Sequence, residues 1–369
     1  MSILLTDLLK EPGLCLRLKP ADWNVLVPQG RATGLLGTLC ALLEEHGLLK
    51  SVPGEVRRHL ESVLCTHRKQ RENLEYEVAR LRRALGDIGE KLVVLKGGAY
   101  ILANLPAGSG RLISDIDLLV PERNLHRTEE ILREYGWESP IGDTYDDRYY
   151  RQWMHEIPPM AHVDRDSVLD VHHTILPPTA DEKLEPGKLF EALWEIRPGL
   201  FVLSPLDMVL HSATHLFHEG EFGHGLRDLF DLDRLLRHFA ALDAHFWERL
   251  VPRAREMGMQ KSLSYALRYC RKYFATPVPE EFIAALGAQH YSPGVRGMMD
   301  WLFERGFSPD HSSCRLSFTP LARFCLYVRS HYLRMPLYLL VPHLVRKAWM
   351  GRFGGPVLDD VAEAEAERA

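Results

Sequence analysis

Ser114-Asp115-Ile116-Asp117-Leu118-Leu119-Val120 is an apolar run broken by two carboxylates two residues apart. Its branched and long aliphatic residues predict a β-strand. Residues two apart in a strand point to one face, here with the carboxylates about 6–7 Å apart along the backbone. Like charges that close repel unless a cation sits between them, so the pair points to bound Mg²⁺. Upstream, Leu92-Val93-Val94-Leu95-Lys96-Gly97-Gly98 is a second apolar run, ending at two glycines. It reads as a strand entering a tight loop, where backbone N–H groups can approach phosphate oxygens closely. A phosphate cradle followed by metal carboxylates predicts chemistry on a nucleoside triphosphate, with Lys96 or Arg111 neutralising charge.

Lys96-Gly97-Gly98, then Arg111, then the run from Ser114 to Val120 resembles the signature of the polymerase-beta-like nucleotidyltransferase superfamily. More narrowly it resembles a large bacterial family known only as uncharacterised nucleotidyltransferases. The resemblance is closest over residues 92–176 and continues more loosely through the segment with His211, His215, Arg227 and Asp231. It implies a third carboxylate from a neighbouring strand. Asp170, in Ser167-Val168-Leu169-Asp170-Val171-His172, matches the family's Asp-x-His pattern there. The implied metal ligands are Asp115, Asp117 and Asp170. Lys96, Gly97, Gly98, Arg111, Ser114, His172, His215 and Arg227 are the implied nucleotide-binding positions, with Asp231 beside them in the cleft. The implied reaction is Mg²⁺-dependent transfer of a nucleoside monophosphate from a triphosphate, with ATP favoured, to an unidentified hydroxyl, releasing pyrophosphate. A glycosyltransferase holding a nucleotide-sugar through Asp-x-Asp is the enzymatic alternative. A nucleotide-binding or assembly protein that kept the fold without the reaction is the non-catalytic one.

The chain of 369 residues is long enough for two or three compact units. A net charge of −5 gives no basic footprint for an extended nucleic-acid track. Six cysteines (Cys15, Cys40, Cys65, Cys270, Cys314, Cys325) are scattered without a Cys-x-x-Cys pair, as expected of reduced thiols in a cytoplasmic protein. The amino terminus lacks the pattern of a signal peptide. The apolar segment 324–345 is interrupted by Arg329, His331, Arg334, Pro336, Pro342 and His343, so it predicts no membrane span and leaves peripheral membrane contact open.

The expected fold is α+β: a small mixed nucleotidyltransferase sheet with helices, flanked by helical amino- and carboxy-terminal regions. Residues 1–90 read as helical, with a long charged helix from Glu55 to Asp87 whose Leu74, Val78, Leu81, Leu85 and Ile88 mark one face. Its Arg68-Lys69-Gln70-Arg71 cluster reads as a solvated face. Residues 91–204 form the catalytic unit, ending in a hairpin that carries Asp170 and His172. Residues 205–350 read as a helical domain and 351–369 as an acidic flexible tail. His211, His215 and His218 share one helical face; no acidic or cysteine partner completes a zinc site, and cleft lining or packing is the preferred reading. Tyr145, Tyr149, Tyr150 and Trp153 read as a packed loop rather than a base-stacking set.

Overall fold

The computed structural model describes residues 4–86, 89, 91–139, 154–180, 184–287 and 292–334. Tyr145, Tyr149, Tyr150, Trp153, the tail and the apolar segment beyond Arg334 lie outside them. The described strands are β1 (Leu92–Val94), β2 (Ile116–Leu119), β3 (Trp137–Glu138), β4 (Met160–His162), β5 (Val168–His172), β6 (Leu193–Arg197) and β7 (Leu200–Leu203). They form one sheet in the order β3-β4-β5-β2-β1-β7-β6. β2 runs antiparallel to β1 and parallel to β5, while β1 runs parallel to β7. The fold is therefore α+β with a mixed sheet and helices at both ends of the chain.

β1 and β2 are buried along their whole length, as central strands must be when helices cover both faces. The parallel pairing of β2 with β5 sets Asp117 directly beside Asp170 and Leu119 beside His172. That register decides the site. A slip by a single residue would send Asp170 to the opposite face of the sheet.

The helix Gly54–Gly86 supports this sheet, burying Leu74, Val78, Leu81 and Leu85 at spacings of three and four. Ion pairs lock it in place: buried Glu77 takes the Arg165 guanidinium and the Ser167 hydroxyl, and Glu75 takes Arg197. In its basic cluster Arg68 and Lys69 are exposed, whereas Gln70 accepts from the Ile113 N–H and Arg71 donates to Asn104. The later helices Pro205–His218, Gly225–Leu242, Phe246–Glu256 and Gln260–Phe274 lie in the region expected to be helical. A continuous hydrophobic core runs from Leu5 to Leu326. Among the described residues no helix is long and apolar enough to cross a membrane.

The connection after β1 differs from expectation. In place of a glycine loop the chain enters the helix Lys96–Leu102 directly. Lys96 itself makes the left-handed turn, at φ 47°, so the turn needs no glycine. A non-glycine residue held there is strained by about 1 kcal/mol or more. Gly97 and Gly98 are buried in the first helical turn, where they allow close packing. A Cβ on Gly97 would meet Ile113 at 2.9 Å and the Arg111 guanidinium carbon at 3.0 Å, and one on Gly98 would meet Val94 at 3.1 Å.

The loop leading into β2 is anchored through Gly110. Its φ is +71°, and a Cβ there would lie 2.2 Å from the carbonyl oxygen of Gly37. Gly110→Ala is therefore expected to cost at least about 2 kcal/mol, read as a fall in thermal midpoint. Gly13→Ala, which meets nothing within 4 Å, is the control and should be near neutral.

Candidate active site

Asp115, Asp117 and Asp170 meet at the end of β2 and the middle of β5. Each offers a carboxylate oxygen, and these oxygens lie within 4.8 Å of one another. Asp117 is almost fully buried and carries two partners. Its Oδ1 accepts from the Lys96 ammonium at 2.7 Å and from His172 Nε2 at 2.9 Å. Asp115 accepts from the Ser114 hydroxyl at 3.2 Å. Asp170 Oδ1 is buried and has no hydrogen-bond partner.

The three carboxyls are not equivalent. Burial and then Glu156, Asp115 and Asp117 push Asp170 well above the usual carboxylate range. Burial and Asp117 also raise Asp115. For Asp117 burial acts in the same direction, but the Lys96 charge and the His172 contact outweigh it and hold the carboxyl low. Lys96 responds in kind: burial disfavours its charge, yet Asp117, Asp115 and Glu156 raise it above the ordinary lysine value. The centre is an acidic cluster around one ammonium, with Asp170 the least compensated member.

Arg111 is engaged by two carboxylates of a later helix. Its Nε donates to Asp231 Oδ2 at 2.8 Å, and its Nη2 lies 3.5 Å from Asp228 Oδ1. The arginine thereby ties the loop before β2 to the helix Gly225–Leu242. Arg227 pairs with Asp228 at 3.0 Å and not with Asp231 one turn on. Asp228 is held down to about 2, because Arg227 and Arg111 outweigh burial. Asp231 goes the other way: burial outweighs Arg111 and pushes it up to about 6. The reason is visible in its second oxygen, Oδ1, which is buried without a partner.

The helix Pro205–His218 faces the same centre. Burial and the nearby Lys96 charge lower His211 well below the histidine range and bring His215 down to about 4. His218 turns elsewhere, to the Thr214 carbonyl. The three histidines therefore do not converge on one ion; His211 and His215 approach each other edge to face at 6.5 Å.

Glu156 and His155 are absent from the sequence-based site. Glu156 Oε2 lies 3.1 Å from His172 Nδ1, and the His155 ring stacks on His172 at 5.2 Å. His155-Glu156 stands outside any regular element, so neither alternation nor spacing marks it; only the bridge between Glu156 and His172 brings it in. Asp228 carries no local mark of its second partner, Arg111, which is far away in sequence.

A mixed sheet presenting Asp-x-Asp and a laterally paired third aspartate defines a carboxylate centre able to hold a metal ion. The sequence profile of a family described as uncharacterised nucleotidyltransferase matches residues 19–275, and the chain belongs to that family. No curated protein and no solved structure gives a significant match.

Proposed function

We propose that this protein is a Mg²⁺-dependent nucleotidyltransferase that moves a nucleoside monophosphate from a nucleoside triphosphate, with ATP favoured, to a hydroxyl-bearing acceptor. The observation that carries this reading is the partnerless buried oxygen of Asp170 beside the Asp115 and Asp117 carboxylates. An all-oxygen donor set suits a hard cation such as Mg²⁺ over zinc or copper. When bound, the metal would supply charge stabilisation for the triphosphate and for the attacking oxygen.

The protein's own groups have separable tasks in this reading. Asp115, Asp117 and Asp170 hold the metal. His172 donates to Asp117 and fixes the direction of its carboxylate, the role outer-shell partners play around metal ligands. Lys96 balances the cluster in the free protein and contributes positive charge on the side where triphosphate enters. Gly97 and Gly98 carry no side chain of their own at the first helical turn, where the triphosphate would approach, while Arg111 and Arg227 act through Asp231 and Asp228 to brace that wall. His215 lines the cleft as a neutral imidazole. The helical regions on either side of the 91–204 catalytic unit complete the walls.

The test is calorimetric titration of the full chain with ATP and the other triphosphates, with and without Mg²⁺. Binding should require the divalent ion, because three clustered carboxylates repel a bare triphosphate. Equal affinity in both buffers would remove the metal from the reading. Incubation with labelled triphosphate and candidate acceptors should release pyrophosphate.

A further inference from the structure

We propose a second cation site beside the aspartate centre, in which His155, Glu156 and His172 hold a zinc-class divalent ion. Each residue offers a ligand atom, and these atoms lie within 4.8 Å of one another. Glu156 Oε2 is 3.1 Å from His172 Nδ1 and 3.9 Å from His155 Nε2. Zinc takes such ligands at about 2.0–2.2 Å in tetrahedral geometry, which sets neighbouring donor atoms about 3.3–3.5 Å apart. Only a small closure is needed. Two imidazoles sharing one tetrahedral ion have ring centres about 5 Å apart, and those of His155 and His172 are 5.2 Å apart.

One further feature points to an ion. The opposite nitrogen of His172 faces Asp117 Oδ1 at 2.9 Å. That is the carboxylate–histidine–metal arrangement, in which a carboxylate on one ring nitrogen orients the ring and makes the other nitrogen a better ligand.

The backbone preorganises the group. Glu156 bridges to His172 across the ladder, the Ile157 N–H donates to the Val171 carbonyl at 3.0 Å, and the His173 N–H donates to the His155 carbonyl at 2.9 Å. The donor set is mixed nitrogen and oxygen, in contrast to the all-oxygen aspartate centre, so the two sites select different metals. Three protein ligands leave a fourth position for water or an oxygen of a bound molecule. The site is distinct from the aspartate centre, and the two are linked through the His172–Asp117 contact and through the Glu156 charge beside Asp170.

The test is titration of chelator-treated full-length protein with Zn²⁺ and Co²⁺ in a large excess of Mg²⁺, which occupies oxygen-only sites. The expected result is about one zinc ion per chain and the intense visible absorption of four-coordinate cobalt. His155→Gln and Glu156→Gln, with fold checked by circular dichroism, should each weaken zinc by roughly a hundredfold. Asp170→Asn should keep zinc while losing Mg²⁺-dependent triphosphate binding. A wild-type protein without the cobalt band overturns the site, and so does a folded His155→Gln protein with full zinc affinity. Zinc lost in Asp170→Asn yet kept in His155→Gln would put the ion on the aspartates and overturn it as well.

Discussion

Asp170→Asn should abolish Mg²⁺-dependent triphosphate binding and at the same time stabilise the metal-free protein. The two effects share a cause. Asp170 is buried among Glu156, Asp115 and Asp117, and its Oδ1 has no partner. Without metal its charge is an uncompensated like charge, and a neutral amide removes that repulsion. An asparagine N–H₂ can also donate to the neighbouring carboxylates. The gain should be of the order of 1 kcal/mol, the scale on which buried charges trade against neutral replacements. In wild type, Mg²⁺ and triphosphate at about a hundred times Kd should add about 2.7 kcal/mol of stability, and in the variant this ligand-induced shift should vanish. Thermal melts with and without Mg²⁺-ATP read both. A variant that melts lower and keeps the ligand shift would make Asp170 a structural residue.

The pH dependence follows with a defined sign. A carboxyl raised in the folded state contributes stability below its unfolded value, about 3.9, and loses it as pH rises through the folded value. Asp170 and Asp231 behave this way, and for Asp231 the loss occurs near pH 6. Asp117 and Asp228 are lowered, so their contribution is present above the ordinary carboxylate range and disappears only in strong acid. The metal-free protein should therefore be more stable at mildly acidic pH than at pH 8, and Asp170→Asn should flatten that slope.

Arg111→Ala should lower stability by about 3–5 kcal/mol, the range seen when one partner of a buried ion pair is removed. Asp231 is 2 % exposed, and Arg111 provides its ion pair through Oδ2 while its other oxygen is already unpartnered. Asp228 would keep Arg227, so the damage should centre on Asp231. Asp231→Asn in the Arg111→Ala background should recover part of the loss, because the stranded charge is then gone. Chemical denaturation of the two single variants and the double variant gives the coupling directly. A stable Arg111→Ala protein with weakened triphosphate binding would instead make Arg111 a phosphate ligand.

Much of the centre is written in local sequence patterns. Alternation across Asp115-Ile116-Asp117 places both carboxylates on one side of a strand, and this is a local property of the backbone. The apolar runs around Leu92 and Leu118 demanded burial, and the three-and-four spacing from Leu74 to Leu85 demanded a helix face. Asp170 came from resemblance of the Asp-x-His segment, and the parallel register of β2 with β5 then set it beside Asp117. Local patterns of this kind repeat within a few residues, so they survive in the chain as written.

Contacts between distant segments leave no such trace. Gly97-Gly98 has the composition of a phosphate loop, but the sequence does not show that Ile113, Arg111 and Val94 press against the helix there. Arg111 reads as a phosphate cation, and its ion pair with Asp231, on a helix far along the chain, leaves no mark in the local sequence. Glu156 and His155 follow no period at all and gain meaning only where the chain bridges to His172. Charge and close packing act through space, so a residue's partner is chosen by the folded arrangement. Periodicity acts along the chain, and there a single sequence is enough.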